Sequence, residues 1–231
     1  MRVAVLAGGV GAARFLEGLV QAVEPSSVTA IVNTGDDAEF YGLHICPDLD
    51  TVMYTLAGLV DPETGWGVER DTIACQQLLA RYGAESWFRL GDRDLATHIR
   101  RTELLRGGMS LSAVTDVLRE ALGVHVHLVP MTDDPVRTHI STPNGVLAFQ
   151  EYFVRRGQQD EVLGITFEGL ETAQPAPGVL EAIAEADVLV IAPSNPFVSV
   201  GPILAIAGVR DTIVARRDVA VAISPIIGGA A

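Results

Sequence analysis

The chain contains no lysine. All 16 of its basic residues are arginine, against 29 aspartates and glutamates, and the net charge is −13 over 231 residues. Nucleic-acid binding by counterion release needs a basic face, which this composition does not supply. Cysteine is scarce as well: Cys46 and Cys75 stand in unlike surroundings and make neither a zinc-ligand spacing nor a disulfide framework. Reduced thiols in a cytoplasmic protein are the expectation. No apolar run reaches the ~18 residues of a membrane-spanning helix, so no membrane partner is expected. Arg2 to Ala7 is too short for a secretory leader and runs into glycines rather than a small-residue cleavage site. The 48% of residues that are hydrophobic suffice for one large domain that buries ~70–75% of the surface its unfolded chain exposes.

Continuous apolar runs at Val3–Ala7, Val28–Val32, Val162–Phe167, Val188–Ala192 and Val219–Ile223 read as strands covered on both faces. Helical spacing follows in Val10–Val23 and Val179–Ala186. The alternation predicts an α/β fold, a doubly wound, mostly parallel, Rossmann-like sheet with ligands at the carboxyl ends of its strands. From about residue 49 to 122 the pattern is almost wholly helical, broken at Asp61-Pro62, Gly65-Trp66-Gly67 and Arg106-Gly107-Gly108. We expect a helical insertion within the single domain, packed over the strand ends and able to close over a substrate. Strand signals return at Val124–Val129 and at Thr138–Thr142, where the Pro143-Asn144-Gly145 turn suits a hairpin.

The first strand runs straight into Gly8-Gly9-Val10-Gly11. Glycine lets backbone approach a phosphate, and the amides opening the next helix point at the anion. Gly9-x-Gly11 is an incomplete dinucleotide fingerprint, because Arg14 replaces the third glycine. A plain tight turn is the competing reading. The second strand ends in Asn33-Thr34-Gly35-Asp36-Asp37, and Asp48-Leu49-Asp50-Thr51 follows. These carboxylates read either as turn and cap residues or as ligands. In a chain of this charge a diphosphate would be repelled, and a helix N-terminus offers an anion only ~0.3–1 kcal/mol, up to ~2. A divalent cation, most suitably Mg²⁺, on Asp36, Asp37 and Asp48 resolves the repulsion.

Arg89, Asp92, Arg93, Asp94 and His98 crowd around Gly91, beside Trp87 and Phe88. Surface salt bridges explain such charges, whereas aromatics beside arginines offer a flat ring a place to stack. His125 and His127 share a strand face, either as a metal pair or as a half-buried pair. Ser194 and Asn195, between Pro193 and Pro196 after an aliphatic strand, offer donors and acceptors to a base or sugar edge, or form a structural turn.

Gly8–Gly11, Asn33–Asp37, Asp48–Gly58, Trp87–His98, Pro130–Thr138, Phe149–Val154, Pro193–Pro202 and Ser224–Gly229 together resemble one family. It is the 2-phospho-L-lactate transferases of coenzyme F-420 biosynthesis, called CofD in archaea and FbiA in actinobacteria. That resemblance implies transfer of a phosphorylated three-carbon acid from a guanosine-diphosphate-linked donor to the ribityl hydroxyl of the deazaflavin Fo. GMP is released and Mg²⁺ assists. It further implies an Fo contact at Asp50 and Arg89, and donor contacts at Gly8, Gly9, Gly11, Asn33, Ser194 and Asn195. The resemblance leaves the transferred acid open between phospholactate and phosphoenolpyruvate; actinobacterial members carry phosphoenolpyruvate, and the all-arginine composition leans that way. A cytoplasmic homodimer follows by family analogy alone. Members of that family extend further, so the C-terminal part of the family's domain is expected to lie outside this chain.

On chemical grounds Asp50 is expected to position the acceptor hydroxyl and take its proton. Two alternatives stand beside this assignment. A non-catalytic nucleotide-sugar-binding regulator of the YvcK type shares the glycine turn and first acidic loop, and a nicotinamide dehydrogenase shares the glycines alone.

Overall fold

The computed structural model describes residues 1–226, so Ile227, Gly228 and Gly229 of the last resembling motif lie outside the described residues. Five strands, β1 (Val3–Ala7), β2 (Val28–Val32), β5 (His127–Pro130), β9 (Val188–Ile191) and β10 (Ala220–Ala222), form a sheet in the order β10-β9-β1-β2-β5, every pair parallel. Val3 lies opposite both Val28 and Val188. Successive residues of β1 feed opposite faces: Val3, Val5 and Ala7 pack on one side, Ala4 and Leu6 on the other.

The first face carries α1 (Gly9–Leu19), α2 (Pro47–Leu56) and α5 (Leu111–Ala121); the second carries α6 (Val179–Glu185), α7 (Val200–Ala205) and α8 (Val209–Ala215). Burial of each such aliphatic side chain stabilises by about 1.5–3 kcal/mol. Two further helices, α3 (Ala74–Arg81) and α4 (Asp92–Arg106), complete the helical stretch expected between residues 49 and 122. Of that stretch, α2 and α5 both belong to the main core, α2 through Leu49, Val52 and Met53 and α5 through Leu111, Val114 and Leu118, and α2 packs on α1. No helix among the described residues is long and apolar enough to cross a membrane.

Val162–Phe167, expected in the parallel sheet, is not part of it. β8 (Gly164–Glu168) pairs antiparallel with β6 (Arg137–Thr142), which also pairs with β7 (Gly145–Ala148). Val162 and Leu163 are exposed, so this apolar run lacks the two covered faces its composition suggested. The Pro143-Asn144-Gly145 hairpin is present between β6 and β7. A short antiparallel pair, β3 (Ala38–Phe40) and β4 (Leu43–Ile45), leads into α2.

The chain runs outward from β1 through β2 to β5, then crosses to β9 and β10 on the other side of β1. The order therefore reverses between β1 and β9, and the carboxyl ends of those two strands part to leave a crevice.

Candidate functional site

Two loops meet at that reversal. The β1–α1 turn carries Gly8, Gly9 and Gly11; the β9–α7 loop carries Pro193, Ser194 and Asn195. A Cβ on Gly11 would lie 2.2 Å from the Pro193 carbonyl oxygen, and one on Gly8 would lie 2.7 Å from Ser199 Cβ and 2.9 Å from Asp48 Oδ2. Gly9 has φ +68°, in the left-handed region. Side chains are thus excluded here by space at Gly8 and Gly11 and by backbone conformation at Gly9. Helix α1 has no capping side chain at Gly8, and the Asp48 carboxylate takes up the Gly9 amide at its start.

A cavity of 470 Å³ opens over this turn, within the ~300–1,000 Å³ of small-molecule sites. The glycine turn, Asp36, Asp48, Asp50, Arg89, Ser194 and Asn195 all line it. Four aromatic side chains also line it, Trp66, Phe88, Phe149 and Phe153, the last two stacked at 5.3 Å. Trp87, expected beside a flat ligand, does not line it and packs edge-on against Phe40 with Arg155 over its ring. Of the two neighbouring aromatics, Phe88 is the one that lines the cavity.

Asp36 and Asp48 are 5% and 7% exposed. Burial first, then the charges of Asp48 and Asp37, hold the Asp36 carboxyl well above its usual range, opposed by Asn33 and Thr138. Burial likewise pushes Asp48 up to about 6, opposed by Asn33 and reinforced by Asp37. Asp36 Oδ1 is buried with no hydrogen-bond partner. Two desolvated carboxylates sharing a cavity disfavour each other's ionisation, and a cation between them removes the penalty. Carboxylate oxygens suit Mg²⁺, so these residues fit the ion.

Asp37 parts from its neighbour. Its Oδ2 lies 3.0 Å from both His44 Nε2 and Cys46 Sγ, away from the cavity. Asp37, His44 and Cys46 could together hold a metal ion, but an imidazole and a thiol suit a softer one than Mg²⁺. Asn33, expected at the donor, does not line the cavity; it is fully buried, its amide donating to Asp48 Oδ2 at 2.9 Å and to the Val198 carbonyl while its own oxygen accepts from the Gly35 amide. Its amide is thereby committed to Asp48 and Val198. Gln150, which lines the cavity, ties down the neighbouring loop by donating to the Asp36 carbonyl at 3.0 Å.

Ser194 is buried with its hydroxyl unpartnered, while Asn195 Oδ1 accepts from the Phe197 and Val198 amides and so also builds the turn. Asp50 sits in the first turn of α2, gripped by Arg101. Arg89, exposed at the cavity wall, makes no ion pair among the described residues. Of the Gly91 cluster, Asp92 takes up the Ala74 and Cys75 amides and so caps α3, and Arg93 bonds the Glu69 carbonyl. His125, ahead of β5, and His127, at its start, are both exposed and stand outside the one metal-capable group found among the described residues.

Sequence reasoning missed Tyr54 and Arg101 and left Asp94 and His98 as candidate surface charges. All four form one buried or nearly buried network against Asp50. The signal was available: Asp94, His98 and Arg101 recur at helical spacing, one face of a helix.

The fold alone is shared with two crystal structures of a UPF0052-family protein from Bacillus halodurans, with TM-scores of 0.62 and 0.64 at 20% and 21% identity. These alignments cover 92% of this chain and 65% of that one, so the chain spans about two thirds of its length. Sequence similarity is far closer to proteins named phosphoenolpyruvate transferase. The one from Streptomyces coelicolor is 50% identical over 235 residues, that from Kitasatospora aureofaciens 51% over 236, and that from Thermobifida fusca 49% over 243. Each alignment takes in the whole of this chain and about three quarters of the relative: 74%, 74% and 75%. The family model described as 2-phospho-L-lactate transferase CofD matches residues 3–231. With half its residues shared and its full span matched, the chain belongs to the 2-phospho-L-lactate transferase (CofD) family.

Proposed function

We propose that the protein transfers a phosphoenolpyruvyl group from a guanosine-diphosphate-linked donor to the ribityl hydroxyl of the deazaflavin Fo, releasing GMP, in coenzyme F-420 biosynthesis. One observation carries this reading: a single cavity joins a side-chain-free glycine turn, two carboxylates of raised pKa and an aromatic wall. The name shared by the relatives favours phosphoenolpyruvate over phospholactate as the transferred acid.

In this reading the donor diphosphate lies against the amides of Gly8 to Gly11, where the start of α1 favours negative charge. Ser194 and Asn195 meet the guanosine end. Asp36 and Asp48 hold Mg²⁺, which when bound neutralises the diphosphate and the leaving GMP. The deazaflavin ring stacks on Phe88 or the Phe149–Phe153 pair, with Arg89 at its edge. Asp50 orients the ribityl hydroxyl toward the donor phosphorus and takes its proton as the new phosphodiester forms. The protein works in the cytoplasm as a homodimer.

Mass spectrometry of the product formed from Fo with each candidate donor tests the reading. Dehydro product and GMP in equal amounts are expected with the phosphoenolpyruvyl donor. Tight Fo or nucleotide binding without any product would instead support the non-catalytic regulator.

A further inference from the structure

Beneath the cavity wall runs a chain of ionisable groups that the glycine turn and the paired carboxylates leave unexplained. Asp94, His98 and Arg101 are spaced i, i+4 and i+7 on α4, and this face meets Tyr54 and Asp50 of α2. His98 and Arg101 are each 1% exposed, and Arg101 ranks as the largest fully buried side chain among the described residues. Arg101 Nη1 donates to Asp50 Oδ2 at 3.1 Å, and its Nη2 donates to Asp50 Oδ1. The same Nη1 lies 3.2 Å from His98 Nδ1. A guanidinium nitrogen can only donate, so Nδ1 is the acceptor and the imidazole proton belongs on Nε2. Nε2 in turn sits 3.1 Å from Asp94 Oδ2, out of line for a full hydrogen bond, while Asp94 Oδ1 accepts from the Tyr54 hydroxyl at 2.7 Å.

Apolar side chains would fill this volume without the desolvation that buried charges carry. The network opens on the cavity: Asp50, Tyr54, Asp94 and His98 all line it, Asp94 the most exposed of them, and Arg101 lies behind them. A two-pronged guanidinium grip removes the rotation of a carboxylate about its last bond. Without it Asp50 would be free to turn among several orientations, and misplacing a reacting group by about 1 Å costs roughly a hundredfold in rate.

The geometry points to Asp94, His98 and Arg101 as positioning residues that act through Asp50, fixing its carboxylate toward the acceptor hydroxyl. This rests on the proposed role of Asp50 in the transfer. Arg101 supplies the grip, His98 Nδ1 accepts from the same Nη1 that bonds Asp50 and so holds it in place, and Asp94 stands beside the His98 Nε2 proton. Tyr54 locks Asp94 in turn.

The test is a mutant cycle in the transfer assay, with His98→Leu and His98→Asn made alone and on an Asp50→Asn background. His98→Leu should lower kcat about a hundredfold with the Fo KM changed by no more than about twofold. His98→Asn, which keeps an acceptor near the Nδ1 position, should recover roughly tenfold of that loss. On the Asp50→Asn background, His98→Leu should cost less than about twofold more, because a residue acting only through Asp50 has nothing left to position. Should His98→Leu not fold, Asp94→Asn at the partly exposed end carries the same cycle. Losses that multiply with that of Asp50→Asn, equal kcat for the Leu and Asn variants, or normal kcat in His98→Leu would each overturn the inference. Full activity in Asp50→Asn alone would instead remove the role of Asp50 on which it rests.

Discussion

Asp48→Asn should make the metal-free protein more stable, by an amount that grows from about pH 4 and is complete above about pH 6. The folded-state pKa of Asp48 is about 6, against 3.8 as the ordinary value. A shift of about two units corresponds to roughly 3 kcal/mol at about 1.4 kcal/mol per unit. The sign follows from linkage. A carboxyl whose folded pKa lies above its unfolded one binds its proton more tightly when folded, so the fold loses stability as pH rises from about 4 through 6. Above that range the whole penalty is present, and an amide removes it. Asn can still accept the hydrogen bond that Asn33 donates to Asp48 Oδ2 at 2.9 Å, and Asp36 is relieved of a neighbouring charge. For a chain of this size about 2–4 °C of melting temperature accompanies each kcal/mol. A rise of roughly 6–12 °C is therefore expected at pH 8 in EDTA, shrinking toward zero at pH 4. Added Mg²⁺ should raise the melting temperature of wild type and leave the variant almost unmoved. A variant that melts at or below wild type at pH 8, or whose difference ignores pH, would refute the reasoning.

Three further substitutions probe separate parts of the cavity. Asp50→Asn should cut turnover at least tenfold, and wild-type steady-state rates in this variant would remove Asp50 from the mechanism. Arg89→Ala, at a cation without an ion-pair partner among the described residues, should raise the Fo KM while leaving melting temperature unchanged; an unaltered KM counts against an acceptor contact. Gly11→Ala brings a methyl group to 2.2 Å from the Pro193 carbonyl oxygen, so the two loops must separate by nearly 1 Å. Overpacking of about 1–3 kcal/mol and a roughly hundredfold loss of kcat should appear together in calorimetry and kinetics, and normal values of both would show the approach to be unimportant.

The parallel sheet was legible because its strands are buried on both faces, and the aliphatic runs at Val3–Ala7, Val28–Val32 and Val188–Ile191 show it directly. The same signal misled at Val162 and Leu163, which are apolar yet exposed beside an antiparallel ribbon. The glycine turn and the Ser194–Asn195 loop were legible as loops, and only the strand order brings them together. Asp36 and Asp37 are neighbours in sequence but face a cavity and a His–Cys pair respectively, a divergence no composition shows. Nor does any local pattern announce that Asp50 is held by Arg101, 51 positions away. Charges at helical spacing on α4 read as solvated when their partner helix is unknown.

In the proposed function, Asp36 and Asp48 let an acidic protein hold a diphosphate at the Gly8–Gly11 turn only through a divalent cation. Isothermal titration of GDP into the protein, with Mg²⁺ and with EDTA, tests it most directly. The account predicts binding that needs Mg²⁺ and is lost in Asp48→Asn; equal affinity in EDTA, or no binding under either condition, would contradict it.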